Sequence, residues 1–259
     1  MVWDSSNTLE MYDRGSSALR YPGYLGARLR AGNVACDSPM IGDSILVDPT
    51  RGFFAIGDSS DREPRAARLF MLKFSDILND ISILSDDVII PEQQLHDLLN
   101  EILGRSRKIM RELPFQGTTT FTGVLFVNTR HDTTKALLFH AGDSMLMAFH
   151  PQQGIRTITK KNFWFIGKSQ EFYQVAILDV IHGDRFLLAT DGLHDLTPPG
   201  GKGLNAYIAE LFSHYSVENV PDILLGCCDL KTVGRDDLAI LTLAPDRPFP
   251  NFRGIILGE

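Results

Sequence analysis

Four aspartates lie beside short apolar runs of this sequence, and their positions point to metal-assisted chemistry. They are Asp43, Asp58, Asp191 and Asp236, and the runs beside them are 44–47, 53–57, 185–190 and 238–243. Oxygen-only sets of this kind are what hard divalent cations such as Mg²⁺ or Mn²⁺ require. A carboxylate that bridges two cations would hold them about 3.5–4 Å apart, the spacing that suits an in-line phosphoryl displacement. The alternative is that aspartate is simply a common turn residue next to strands, and spacing alone leaves both interpretations open.

The apolar runs have the length and composition of β-strands. Turn residues at 48–52 separate the first two runs, so these are predicted to form a hairpin. Further strands are predicted at 119–127, 135–140, 144–149 and 172–180, where β-branched and aromatic residues are frequent. Because the ends of strands meet at the rim of a sandwich, the four aspartates can converge there without entering the core.

Helical spacing of apolar residues predicts four helices. They cover residues 63–84, 91–113, 204–214 and 221–228. This many strands must cover both sheet faces, so the pattern predicts two antiparallel sheets with helices packed outside. The predicted fold class is therefore α+β, in one layered domain.

Composition limits the classes of partner and the compartment. The 259 residues are 44% hydrophobic and 22% charged, with a formal net charge of −7, so a globular protein without a nucleic-acid partner is expected. No apolar stretch approaches the length of a membrane span, and residues 1–17 lack the pattern of a secretory signal. Three cysteines form no disulfide framework. We therefore expect a cytoplasmic protein that does not bind membranes.

Five blocks of the sequence resemble, in the same order, the conserved blocks of metal-dependent Ser/Thr protein phosphatases of type 2C, the PPM family. The blocks are Gly42-Asp43 through Gly57-Asp58, Gly117-Thr118-Thr119, His140-Ala141-Gly142-Asp143-Ser144, Gly183-Asp184 through His194-Asp195, and Arg235-Asp236-Asp237. Together they span about residues 43–243. Each block alone is a weak signal, whereas five in family order are a strong one.

The resemblance implies a fold, a metal site and ligands. It implies a four-layer α-β-β-α sandwich and two bound ions, Mg²⁺ or Mn²⁺. Asp58 would bridge both ions, Asp191 and Asp236 would complete one of them, and Asp43 would bind metal or metal-bound water. The carbonyl of Ser59 stands where the family uses a glycine carbonyl. Asp143 and the 117–119 turn are expected to be structural.

The sequence also departs from the family pattern where a phosphate would bind. Family members often carry an arginine a few residues before the first acidic position, but residues 36–40 contain no basic side chain. Arg62 or Arg65 is a candidate replacement, since a planar guanidinium is a natural partner of phosphate. Met145 also stands where arginine is common. The metal ligands are thus retained, while the phosphate-binding residues are altered.

The resemblance implies a phosphatase that hydrolyses phosphoserine or phosphothreonine on a protein with a metal-activated water. Asp43, Asp58, Asp191 and Asp236 are the expected catalytic residues. Two alternatives stay open: a weakly active or inactive relative that regulates a partner by binding it, suggested by the altered Asp58-Ser59-Ser60-Asp61 block, and a phosphatase for a small metabolite. The expected catalytic domain covers residues 41–245, between an unassigned segment 1–40 and a tail 246–259.

Overall fold

The computed structural model describes residues 8–12, 16–32, 41–60, 65–81, 89–112, 117–129, 133–230, 236–245 and 255–257. The β-strands are β1 Thr8–Tyr12, β2 Ser16–Tyr21, β3 Leu25–Arg30, β4 Asp43–Asp48, β5 Phe53–Asp58, β6 Phe121–Thr129, β7 Thr133–Ala141, β8 Met145–His150, β9 Gly154–Thr157, β10 Gln174–Val180, β11 Arg185–Ala189, β12 Leu196–Thr197, β13 Asp229–Leu230, β14 Leu238–Leu243 and β15 Ile255–Leu257. The α-helices are α1 Arg65–Asn79, α2 Leu95–Glu112, α3 Leu204–His214 and α4 Val220–Cys227.

Two large antiparallel sheets form the centre of the molecule. The first has the strand order β1-β2-β3-β14-β11-β8-β9, and the second has the order β10-β7-β6-β5-β4-β15. The predicted hairpin is β4 and β5, which pair in an antiparallel register that places Asp43 opposite Asp58. Strand β14 lies between β3 and β11 in the first sheet. It therefore joins the N-terminal strands β1–β3 to the strands β11, β8 and β9 from later in the chain.

Three buried hydrophobic clusters lie between the four layers of the molecule. One cluster joins α1 and α2 to the second sheet through residues such as Phe70, Phe74 and Phe121. A second fills the space between the sheets, with Phe54 and Phe186 among its members. The third joins α3 and α4 to the outer face of the first sheet. The predicted α+β class and the four-layer α-β-β-α order are confirmed.

The sandwich extends beyond the 41–245 range that the sequence predicts for the domain. Residues 16–30, left unassigned from sequence, form β2 and β3, and β3 pairs with β14. Near the other end, β15 pairs with β4. The structure also adds the short strand β9, which pairs with β8. No helix of the described residues combines the length and apolar character needed to cross a bilayer.

Candidate metal centre

Asp43 and Asp58 form the buried half of the candidate site. They are directly opposed in the register of β4 and β5. Asp43 is almost fully buried, and its Oδ2 accepts a hydrogen bond of 2.7 Å from the Oγ1 of Thr190. The Thr190 hydroxyl in turn accepts a bond from the N–H of Ala239 in β14. Thr190 therefore ties a carboxylate of the second sheet to the central strands of the first.

Main-chain contacts hold Asp58 at the end of its strand. Its N–H donates to the hydroxyl of Thr120 at 2.9 Å, and its carbonyl accepts from the N–H of Thr120 and the hydroxyl of Thr119. The expected structural role of the 117–119 turn agrees with these contacts. These contacts involve only main-chain atoms of Asp58, while its carboxylate is hydrogen-bonded to the side chain of Asp43.

Ser59 continues the strand end and is buried. Its hydroxyl accepts a hydrogen bond of 2.9 Å from the N–H of Ala67 in the first turn of α1, and its own N–H donates to the carbonyl of Gly42. Because the hydroxyl is engaged with the helix, the main-chain carbonyl is the group of Ser59 that could hold a metal, as the resemblance predicts. Arg65 is the first residue of α1, and Arg62 lies outside the described residues.

Asp191 and Asp236 form the second half of the site, just outside the ends of strands β11 and β14. Asp191 opens the 3-10 turn Asp191–Asp195 directly after β11. The N–H of Asp236 donates to the carboxylate of Asp195 at the end of that turn, at 2.9 Å. A Cβ on Gly192 would lie 2.0 Å from the carbonyl oxygen of Asp237, so only glycine lets the turn 191–195 approach Asp237 this closely.

The four aspartates act on one another electrostatically. Burial raises the pKa of Asp43 well above its usual value, with the charge of Asp58 as the next cause. Burial raises the pKa of Asp58 to about 7, and the charges of Asp191, Asp236 and Asp143 add to the rise. Burial, then Asp143 and Asp236, also raise the pKa of Asp191. The structure thus brings all four predicted residues to one rim of the sandwich.

Three neighbouring residues were not identified as site residues from the sequence. The Asp143 carboxylate acts on both Asp58 and Asp191, so it faces the cluster in addition to forming its turn. The buried carboxylate of Asp237 accepts hydrogen bonds from the N–H groups of Gly32 and Gly42, which fixes the chain just before Asp43. Thr190 holds Asp43 directly. Asp143 and Asp237 stand in blocks that resemble the family, and Thr190 directly precedes Asp191, but from the sequence Asp143 is expected to be structural and no role is predicted for the other two.

The donor set fits a hard divalent cation. It consists of carboxylate oxygens and one main-chain carbonyl, and the buried carboxylates repel one another as anions, which a cation between them would relieve. Among the described residues, no three His, Cys, Asp or Glu side chains are drawn together closely enough to hold an ion. The fit therefore rests on the chemistry of the donors and on their mutual electrostatic effects at one rim, not on a preformed ligand geometry.

The fold is that of the PPM Ser/Thr phosphatases. MsPP from Mycobacterium smegmatis, solved in complex with cacodylate, superposes with a TM-score of 0.59 at 16% identity, over 85% of this chain and 97% of that one. PppA, a regulatory component of the T6SS in Pseudomonas aeruginosa, gives 0.58 at 16% identity over 91% and 97%. The catalytic domain of the phosphatase PstP, in complex with 2 manganese ions, gives 0.56 at 16% identity over 90% and 99%.

The sequence places the chain within a family. The model of the Stage II sporulation protein E (SpoIIE) family matches residues 48–246. The chain therefore belongs to the SpoIIE family, and the resemblance to the PPM phosphatases is confirmed. No curated protein sequence matches at a significant level.

Proposed function

We propose that this protein is a Mg²⁺- or Mn²⁺-dependent phosphatase that hydrolyses phosphoserine or phosphothreonine on a protein substrate. The observation that carries the proposal is the convergence of Asp43, Asp58, Asp191 and Asp236 at one rim of a PPM-type sandwich. A cytoplasmic location, two metal ions and the absence of nucleic-acid or membrane partners are parts of the same proposal.

Each half of the cluster has its own task in this mechanism. Asp43 and Asp58 would hold the ions from the strand side together with the Ser59 carbonyl, and Asp191 and Asp236 would hold them from the turn side. Two hard cations at such a site supply Lewis acidity at phosphorus and a nucleophilic water for in-line attack. Thr190 keeps the Asp43 carboxylate oriented, because its hydroxyl donates to Oδ2 at 2.7 Å.

Hydrolysis of p-nitrophenyl phosphate tests the proposal. We expect turnover with Mn²⁺ that is lost on adding a chelator and lost in Asp58→Asn. A matched control is Asp76→Asn on the exposed side of α1, which should retain the wild-type rate. A rate at background with either cation would contradict the enzyme proposal and leave a partner-binding role.

Substrate class needs a separate comparison. We expect higher kcat/KM on phosphoserine and phosphothreonine peptides than on sugar phosphates. Faster hydrolysis of the sugar phosphates would instead identify a phosphatase of small metabolites.

A further inference from the structure

The segment between β9 and β10, residues 158–173, contacts the turn that carries Asp143. The Nζ of Lys161 lies 3.5 Å from the Oδ2 of Asp143, and the side chain remains 60% exposed. The charge of Lys161 also acts on Asp191. A cation thus stands at the edge of the carboxylate cluster and is open to solvent.

The backbone on both sides of Lys161 is fixed. The N–H of Lys160 donates to the side chain of Gln174 at 3.0 Å, and its carbonyl lies 3.1 Å from the Nε2 of the buried His140. Asn162 donates its N–H to the carbonyl of Gly142, and its Oδ1 accepts from the N–H of Gly142 at 2.9 Å. Lys161 therefore extends from a well-positioned point of the loop, next to the turn that carries Asp143.

The charge of the occupied site indicates a role for Lys161. Two divalent cations would neutralise the four aspartates, and the phosphate of a monoester substrate would then add negative charge that the metals alone do not balance. An ammonium group has three N–H donors, so Lys161 can bond a phosphate oxygen while it stays near Asp143.

Three large exposed aromatic side chains belong to the same segment as Lys161. Phe163 is 81% exposed, Tyr173 is 50% exposed and Trp164 is 41% exposed. The Trp164 ring is held in place, because its Nε1 donates to the carbonyl of Glu171 at 3.0 Å and its ring lies 6.4 Å from that of Tyr173. An apolar surface that adjoins a phosphate-binding cation suits a peptide chain better than a small sugar phosphate.

We propose that Lys161 binds the phosphate of the substrate and that Phe163 and Trp164 contact the peptide residues next to the phosphorylated side chain. This inference rests on the proposed phosphatase function, whose substrate site it names. It commits to a phosphopeptide segment of a protein as the occupant of the surface.

Equilibrium binding tests the inference independently of turnover. The probe is a fluorescein-labelled peptide with one phosphoserine, and its unphosphorylated twin is measured beside it by anisotropy with Mn²⁺ present. We expect Lys161→Met to weaken binding of the phosphopeptide about tenfold or more and to leave the twin unchanged. Lys160→Met is the matched control, since it removes an equal charge one residue away and should change neither peptide.

Two further variants separate phosphate binding from a merely structural role of Lys161. If Lys161 only neutralised Asp143, Lys161→Met would change Mn²⁺ affinity or melting temperature without changing the ratio of phosphopeptide to twin binding. Lys161→Arg should restore most of the phosphopeptide affinity. Phe163→Ala should weaken both peptides by the same factor, since it removes a contact that does not involve the phosphate.

The outcomes distinguish this inference from the proposed function. Lys161-dependent binding of the phosphopeptide without any hydrolysis would contradict the phosphatase proposal and support the inference. Metal-dependent hydrolysis with equal KM and equal peptide affinity in Lys161→Met and wild type would overturn the inference and support the phosphatase. Failure of the wild type to bind the phosphopeptide, or equal losses in Lys160→Met and Lys161→Met, would also overturn it.

Discussion

The two halves of the carboxylate cluster are built differently. Asp43 and Asp58 face each other across a central strand pair and are held by hydrogen bonds from Thr190 and Thr120. Asp191 is half-buried and lies in the turn after β11, and Asp236 is exposed and lies in the irregular segment just before β14. The strand half is therefore fixed by the sheet, while the turn half depends on the contact between Gly192 and Asp237.

This difference determines where the electrostatic strain lies. The strand half is desolvated, so its carboxylates repel each other in a medium that screens little, and burial is the largest cause of the raised pKa of Asp43 and Asp58. In the turn half, Lys161 and His194 offset part of the effect on Asp191. Substituting Asp43 or Asp58 should therefore change turnover and the metal-free melting temperature more than substituting Asp191 or Asp236.

The largest expected effect is that of Asp58→Asn on turnover. The residue lies at the centre of the cluster, since the charges of Asp191, Asp236 and Asp143 act on it and its side chain is hydrogen-bonded to Asp43. We expect kcat/KM for p-nitrophenyl phosphate to fall by about three orders of magnitude. Steady-state kinetics at saturating Mn²⁺ measure it, and activity within a factor of about two of the wild type would remove Asp58 from the mechanism.

A smaller effect is expected when the turn half is changed. Asp191→Asn replaces a charged oxygen ligand with a neutral amide at the end of β11, outside the core, so the fold should be retained. We expect Mn²⁺ affinity to fall by about 10–100-fold. Calorimetric titration of the folded variant checks this, and an unchanged affinity would count directly against the assigned ligand.

Metal binding should also stabilise the wild-type fold. An ion that binds the native cluster and not the unfolded chain contributes RT ln(1 + [L]/Kd), about 2.7 kcal/mol at one hundred times Kd. For a chain of this size we expect the melting temperature to rise by about 5–10 °C in millimolar Mn²⁺, and EDTA should reverse the rise. Asp58→Ala should abolish most of it, whereas a melting curve of the wild type that ignores both Mg²⁺ and Mn²⁺ would show that the aspartates are not a metal site.

The sequence predicted the parts of the fold that local patterns determine. The predicted helix at 204–214 and the strand at 238–243 match α3 and β14 residue for residue, because their apolar periodicity and their flanking turns agree. The strands β2 and β3 were not predicted, since residues 16–30 mix arginine, glycine and tyrosine without alternation. Pairing of β3 with β14 and contact with α4, including the ion pair of Arg20 with Asp222, stabilise them.

Some residues of the candidate site could likewise be predicted from the sequence, and others could not. The four aspartates were candidates because each stands next to an apolar run, but that position also suits ordinary turn residues, and only the resemblance to the PPM family singled them out as a set. The positions of Lys161 and Asp237 could not be predicted, since the contacts that place them are long-range. Lys161 reaches Asp143 across the β8–β9 hairpin, and Asp237 bonds Gly42 from a distance of 195 residues along the chain.

The smallest expected effect concerns the pH dependence of the metal-free protein, and it separates the two halves of the cluster most sharply. The pKa of Asp58 is raised from 3.8 to about 7, so the folded state holds a proton that the unfolded chain has released. The stability from this group is complete below pH 3.8 and is lost as the pH rises through about 7. Between pH 5 and 8, the metal-free wild type should therefore lose melting temperature as the pH rises. The lowered pKa of buried His140 acts in the opposite direction, but it is common to wild type and variants and cancels in their difference.

Asp58→Asn should flatten the decline and raise the metal-free melting temperature by a few degrees at pH 8. Asp236→Asn, which removes only a neighbouring charge, should flatten it less. Thermal melts in EDTA at four pH values measure all three proteins, and equal slopes in wild type and Asp58→Asn would show that the strand pair carries no such strain.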